Sequence, residues 1–333
     1  MFERFARMLP LLLMPCTLAA CGGTLPHRVA GRLPARSYGN GENALNEHWT
    51  RETRRVNCAT PDGETRNEIT YYKNSLGMEF ALIPAGRFEM GSALSPEETA
   101  KRFGGDAEDF ADEHPRHAVR ISRAFLMGAY EVTNAQYRRF VADHSSGDYR
   151  GESLNGDAQP VACVSRDDAV HFCDWLSKQD GMTYRLPTEG EWEYACRAGS
   201  ATAYPWGEEM DASRCNFADV NAPSIPWRDE TSDDGYAVTA PVGSFSPNAF
   251  GLYDMIGNVW EWTSDWYGAE SYAKSPPENP TGPASDPLMN RVLRGGSWMN
   301  APGFCRSAFR MKAMQANCSA NGGFRLVVEL PEP

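Results

Sequence analysis

Two stretches of this chain set reactive or metal-seeking residue types at short spacing. In Arg291 to Leu326, RVLRGGSWMNAPGFCRSAFRMKAMQANCSANGGFRL, a strand-like Arg291-Val292-Leu293 run leads to Gly295 and Gly296. The missing Cβ atoms let backbone pass close to another segment or a ligand there. A polar and aromatic excursion with Cys305 and Cys318 follows, and Gly323 to Val328 is expected to close it as one apolar strand. A loop held between strands is a common way of presenting a site. In the second stretch, YDMIGNVWEW, Asp254 and Glu261 offer carboxylates while Gly257 and Val259 offer main-chain carbonyls. Mixed hard oxygen donors on irregular backbone suit calcium. The same spacing also fits Asp254 capping a turn and Glu261 facing solvent.

Other chemistries find no support. His114 and His117 stand three apart, but Pro115 disfavours a helix and no third ligand is evident, so they read as surface loop. No CxxC, HExxH, phosphate loop or Ser-His-Asp order occurs. The formal charge of −12 argues against nucleic acid and against an anionic lipid surface as partners.

Residues 1–20 read as a secretory signal, with Arg4 and Arg7 before the apolar Leu11-Leu12-Leu13 core. The ending Leu18-Ala19-Ala20-Cys21 resembles a bacterial lipoprotein signal, which implies lipidation of Cys21 and a membrane partner reached through that anchor. The expected location is the bacterial cell envelope, on its periplasmic or outer-membrane face. Residues 21–70 lack apolar periodicity and read as a tether, with His48 and Trp49 solvated. Residues 71–333 read as one domain. Export into an oxidising compartment makes disulfides the default, so Cys305 is expected to pair with Cys318 or with a cysteine on the helices.

The elements that must position these residues are few. FALIPAGRFEMG reads as two strands around a turn, and Arg116 to Ile121 as another strand. Ser92 to Glu113 is an acidic, partly helical insertion. Thr133, Ser165 and Thr188 each cap a helix, the last with Glu191 completing a capping box. Beyond Ala198 the chain is turn-rich and aromatic. The class is α+β with much irregular structure.

Several ordered segments resemble the formylglycine-generating enzyme, or sulfatase-modifying factor, family: GMEFALIPAGRFEMGS, GAYEVTNAQYRRFV, YRLPTEGEWEYACRAG, YPWG, FGLYDMIGNVWEWTSDWY, RVLRGGSW and GFRL. The resemblance implies a single domain related to C-type lectins, with low regular secondary structure and loops pinned by calcium. It places calcium at Asp254, Gly257, Val259 and Glu261, and at a second set, Asn216, Phe217, Asp234 and Tyr236. It also implies a linear copper(I) dithiolate that oxidises a substrate cysteine, with Ser297, Trp260 and Cys305 matching the family's site. The first cysteine of that pair falls on Asn300, whose amide is a hard, weak donor unsuited to copper(I).

Two function classes follow. The first is an envelope lipoprotein that binds a protein or peptide ligand through Trp298, Met299, Asn300, Phe304, Met311, Met314 and Asn317. Variable proteins of diversity-generating retroelements use this scaffold, and diversification of this segment is part of that reading. The alternative is a divergent metal-dependent oxidase acting on a periplasmic protein or peptide through Cys305, Ser297 and Trp260.

Overall fold

A long polar hairpin begins the part of the chain described by the computed structural model, residues 48–330. Its strands are β1 (Thr50–Thr60) and β2 (Gly63–Lys73), paired residue by residue from Thr50 with Lys73 to Thr60 with Gly63. The tether expected over 21–70 therefore stops short of Thr50. Alternation is present at Val56, Cys58, Ile69 and Tyr71, but both faces carry Thr, Arg and Glu, which hid it. Trp49 is not solvated: its ring packs 5.4 Å from Phe80, and its Nε1 donates to Asp180 at 2.7 Å. The signal and Cys21 lie outside the described residues.

The hairpin edges a six-stranded antiparallel sheet ordered β1-β2-β3-β6-β14-β9, where β3 is Glu79–Ile83, β6 Phe125–Gly128, β9 Tyr184–Arg185 and β14 Val327–Val328. Between β3 and β6 the chain leaves this sheet. The strand β4 (Gly86–Met90) pairs with β5 (His117–Ile121), so the two strands expected around Pro84 belong to different sheets. The acidic insertion forms α1 (Pro96–Phe103) and a 3-10 turn over Ala107–Glu113 whose Phe110 and Glu113 are buried.

All three expected helix caps are present. Thr133, Ser165 and Thr188 open α2 (Asn134–Tyr137), α3 (Arg166–Asp180) and α4 (Glu189–Arg197), each with a reciprocal capping box. Between α2 and α3, β7 (Asp148–Tyr149) and β8 (Glu152–Ser153) form a small hairpin.

A four-stranded sheet ordered β12-β11-β10-β13 carries the stretches of interest: β10 (Trp260–Trp266), β11 (Asn290–Arg294), β12 (Met311–Met314) and β13 (Gly322–Gly323). The single closing strand expected over 323–328 is in fact two. Gly322–Gly323 joins β10 in parallel, and Val327–Val328 crosses to the six-stranded sheet. Phe324, Arg325 and Leu326, all buried, tie the sheets together. The architecture is an α+β domain with few helices and long packed loops.

Candidate functional site

The turn between β11 and the excursion fixes the site. Gly295 and Gly296 have φ of 99° and 80°. At Gly296 a Cβ would stand 2.4 Å from Cys305 Sγ, so only glycine lets the two segments meet. The Cys305 thiol points to the Ser297 carbonyl oxygen, 3.9 Å away. The Ser297 hydroxyl donates to Asn300 Oδ1 at 2.5 Å and accepts from Asn321 Nδ2 at 3.0 Å. The Asn321 carbonyl accepts the main-chain N–H of Trp260 at 2.8 Å. Ser297, Asn300, Cys305 and Trp260 thus form one fully buried node. Asn321 completes it; in the sequence it reads only as a residue before a Gly-Gly turn.

The chemistry of this node differs from that of a metal dithiolate. Cys305 is an unpaired thiol, not the expected disulfide partner, because the excursion folds it against Gly296 and away from surface. Burial pushes it up to about 12, so it stays protonated at neutral pH. Asn300 spends its amide oxygen on Ser297, while its Nδ2, like Trp260 Nε1, has no hydrogen-bond partner among the described residues. An N–H group donates and cannot ligate a cation, and one protonated thiol cannot form a two-coordinate thiolate pair. The donor set does not fit copper(I).

Buried ion pairs pin the excursion. Arg306 grips Glu113 of the acidic insertion, and Arg310 meets Glu189 of α4 at 2.7 and 2.9 Å. Arg294 reaches Glu193 and the carbonyls of Ser307 and Ala308. The ion pairs were not legible locally, because their partners are separated by roughly a hundred residues or more.

These contacts overturn most of the expected binding surface. Trp298, Met299, Asn300, Phe304 and Met311 are buried. Trp298 and Met299 fill a small core with Leu154 and Ile225, whereas Phe304 and Met311 join the main core beside Phe110. With so few helices the domain needs loop side chains as core, and Met and aromatic residues serve core and interface alike. Only Met314, 51% exposed, and the half-buried Asn317 remain for a ligand.

The two expected calcium sets adjoin one another. Asn216 bridges Gly257 in parallel, and a Cβ on Gly257 would stand 2.0 Å from the Asn216 carbonyl oxygen. Asp254 Oδ2 accepts the Gly243 N–H at 2.6 Å, but its Oδ1 has no partner among the described residues, and neither has Asn216 Oδ1. Burial pushes the Asp254 carboxyl up to about 6. Glu261 takes Arg325 at 2.7 Å on each oxygen and Trp192 Nε1 at 2.8 Å on Oε2. Asp234 ties the second set by accepting the N–H groups of Phe217 and Tyr236 at 2.9 and 2.8 Å; burial lifts it to about 7.

Glu131 is the addition that sequence reasoning missed. It is 1% exposed, accepts from Asn258 Nδ2 at 2.9 Å and the Val259 N–H at 3.3 Å, and is pushed up by burial, Asp254 and Glu261. Three buried carboxylates thus gather around one guanidinium, that of Arg325. Unpartnered acceptor oxygens amid excess negative charge fit a hard cation. Among the described residues no three His, Cys, Asp or Glu side chains are arranged to hold a metal, so amide and main-chain oxygens would supply most donors.

The sequence pattern of the sulfatase-modifying factor enzyme 1-like domain matches residues 67–330. The formylglycine-generating enzyme of Streptomyces coelicolor is 42% identical, with 73% of this chain and 87% of that protein covered. That of Mus musculus is 29% identical over 98% of this chain and 95% of its own length. Among solved structures, PvdO from Pseudomonas aeruginosa is similar with a TM-score of 0.62 and 30% identity, covering 78% of this chain and 98% of PvdO. Treponema denticola variable protein 1 shares the fold, with a TM-score of 0.59, 24% identity, and coverage of 84% and 98%.

Proposed function

Because the chain belongs to the sulfatase-modifying factor family yet carries Asn300 where that family's first copper cysteine falls, we propose that it is a lipid-anchored cell-envelope binding module that does not use copper. The observation that carries this reading is the Ser297–Asn300 hydrogen bond, which consumes the amide oxygen beside a single protonated thiol. The ligand is a protein or peptide, and its landing edge is narrower than the excursion. Met314 pairs with Asn290 across β11 and β12, and Leu288 and Met289, 71% and 49% exposed, extend the same apolar lip. Calcium serves as a structural ion. Asp254 and Glu261 with the carbonyls of Gly257 and Val259 hold one ion, and Asn216 and Asp234 with the carbonyls of Phe217 and Tyr236 a second. There the ions supply charge balance and loop rigidity, not redox chemistry.

A divergent oxidase is the second reading, favoured by the side-chain N–H groups of Trp260 and Asn300, buried donors without a partner among the described residues. The purified chain is supplied with copper, oxygen and a cysteine-containing peptide. The binding reading expects neither oxygen uptake nor aldehyde; turnover that disappears in Cys305→Ser would overthrow it. The anchor is tested separately, by incorporation of labelled fatty acid that Cys21→Ala abolishes.

A further inference from the structure

Asp265 lies toward the other end of β10 from Trp260, roughly 16 Å along an extended strand, and so outside the Ser297 node. It is 3% exposed and borders a cleft of about 310 Å³ walled by Met90, Tyr272, Pro276, Pro280 and Pro283. The carboxylate accepts the Glu189 N–H and the Ser264 hydroxyl, each at 2.9 Å and both on Oδ2. No described residue donates to Oδ1. Of the nearby charges, Arg310 holds Glu189 and Arg291 stacks 3.2 Å over Trp266, while Lys274 and Glu270 form an exposed pair at 3.4 Å on the rim of the same cleft. Burial, then the proximity of Glu189, lifts the Asp265 carboxyl to about 7, as befits a buried acid that forms no ion pair among the described residues.

We propose that this cleft binds an organic ammonium group on an apolar stem, such as a lysine side chain or an alkylamine, with Asp265 Oδ1 as its anionic acceptor. A divalent metal is disfavoured because Glu189, which also lines the cleft, is held by Arg310, and no three His, Cys, Asp or Glu side chains among the described residues are arranged to hold one. A guanidinium is disfavoured because its fork needs two acceptor oxygens, and Oδ2 is occupied. The proline and methionine walls suit a methylene stem that buries its carbons while its head meets the carboxylate. The inference stands apart from the copper question, since it uses none of the node's residues.

The test is calorimetric titration of the purified chain with Nα-acetyl-lysinamide and with its Nε-acetylated counterpart. Saturable 1:1 binding of the first is expected, weakened about tenfold or more both by Nε-acetylation and by Asp265→Asn, as loss of one hydrogen bond between charged groups implies. Asn keeps an acceptor for the Glu189 N–H. If that variant fails to fold, Ser275→Trp decides, since it fills the half-exposed mouth while leaving Asp265 intact and should abolish binding. Thermal midpoints report folding independently. The proposal is overturned if the lysine probe does not bind, if both probes bind equally, or if folded Asp265→Asn or Ser275→Trp binds like the parent. An Asp265 that only caps α4 would lower the thermal midpoint on substitution and leave the probes undistinguished.

Discussion

Replacing Arg325 with methionine is the sharpest perturbation of the scaffold. Its guanidinium, fully buried, makes two 2.7 Å bonds to Glu261 and donates to the carbonyls of Gly128 and Tyr253 at 3.0 and 2.9 Å. Methionine fills a similar volume but leaves Glu131, Asp254 and Glu261 with no cation. Removing one partner of a buried pair costs about 3–5 kcal/mol. At roughly 2–4 °C per kcal/mol for a domain of this size, the midpoint should fall by about 6–20 °C. The assay is thermal unfolding followed by circular dichroism, first with a chelator and then with calcium. Calcium at about a hundred times its dissociation constant adds about 2.7 kcal/mol to whichever form binds it. The carboxylate-cluster reasoning fails if Arg325→Met costs less than about 1 kcal/mol in chelator, well below a broken buried pair. The calcium assignment fails if the unsubstituted chain gains nothing from calcium.

Gly296→Ala should lose roughly 2–4 kcal/mol in urea unfolding, combining left-handed backbone strain with overpacking against Cys305; an unchanged midpoint would refute the close approach. Iodoacetamide at pH 8 should leave Cys305 unmodified in the folded chain and label it only in denaturant, read by peptide mass spectrometry, because the thiol is buried and held near 12. For Asp265 the folded carboxyl binds a proton that the unfolded one has released between about 3.8 and about 7. Its contribution to stability therefore falls as pH rises through that window. Denaturant midpoints across pH 4–8 should show a shallower decline in Asp265→Asn, and identical slopes would contradict the assignment.

What the sequence discloses depends on how local the signal is. The three capped helices are legible because a cap and its partner stand three residues apart, and the Gly295–Gly296 turn because close approach leaves few alternatives to glycine. The β1–β2 hairpin was obscured since polar residues occupy both faces, although Pro61-Asp62-Gly63 between two Thr-rich runs is a turn signal. Glu131 looked like any acid ahead of a helix. Its burial follows from Asn258 and Val259, more than a hundred residues away. The departure at Asn300 was visible from the family resemblance, which places a cysteine at that position. Its consequence, an amide whose oxygen takes the Ser297 hydroxyl and whose N–H group is buried with no partner among the described residues, needed coordinates.

The central claim is that this node does not hold copper, and the direct measurement is cuprous-ion stoichiometry against a competing chelator, with Asn300→Cys in parallel. No tight site is expected in the natural chain. One copper(I) per natural chain, retained against the chelator and lost in Cys305→Ser, would contradict it.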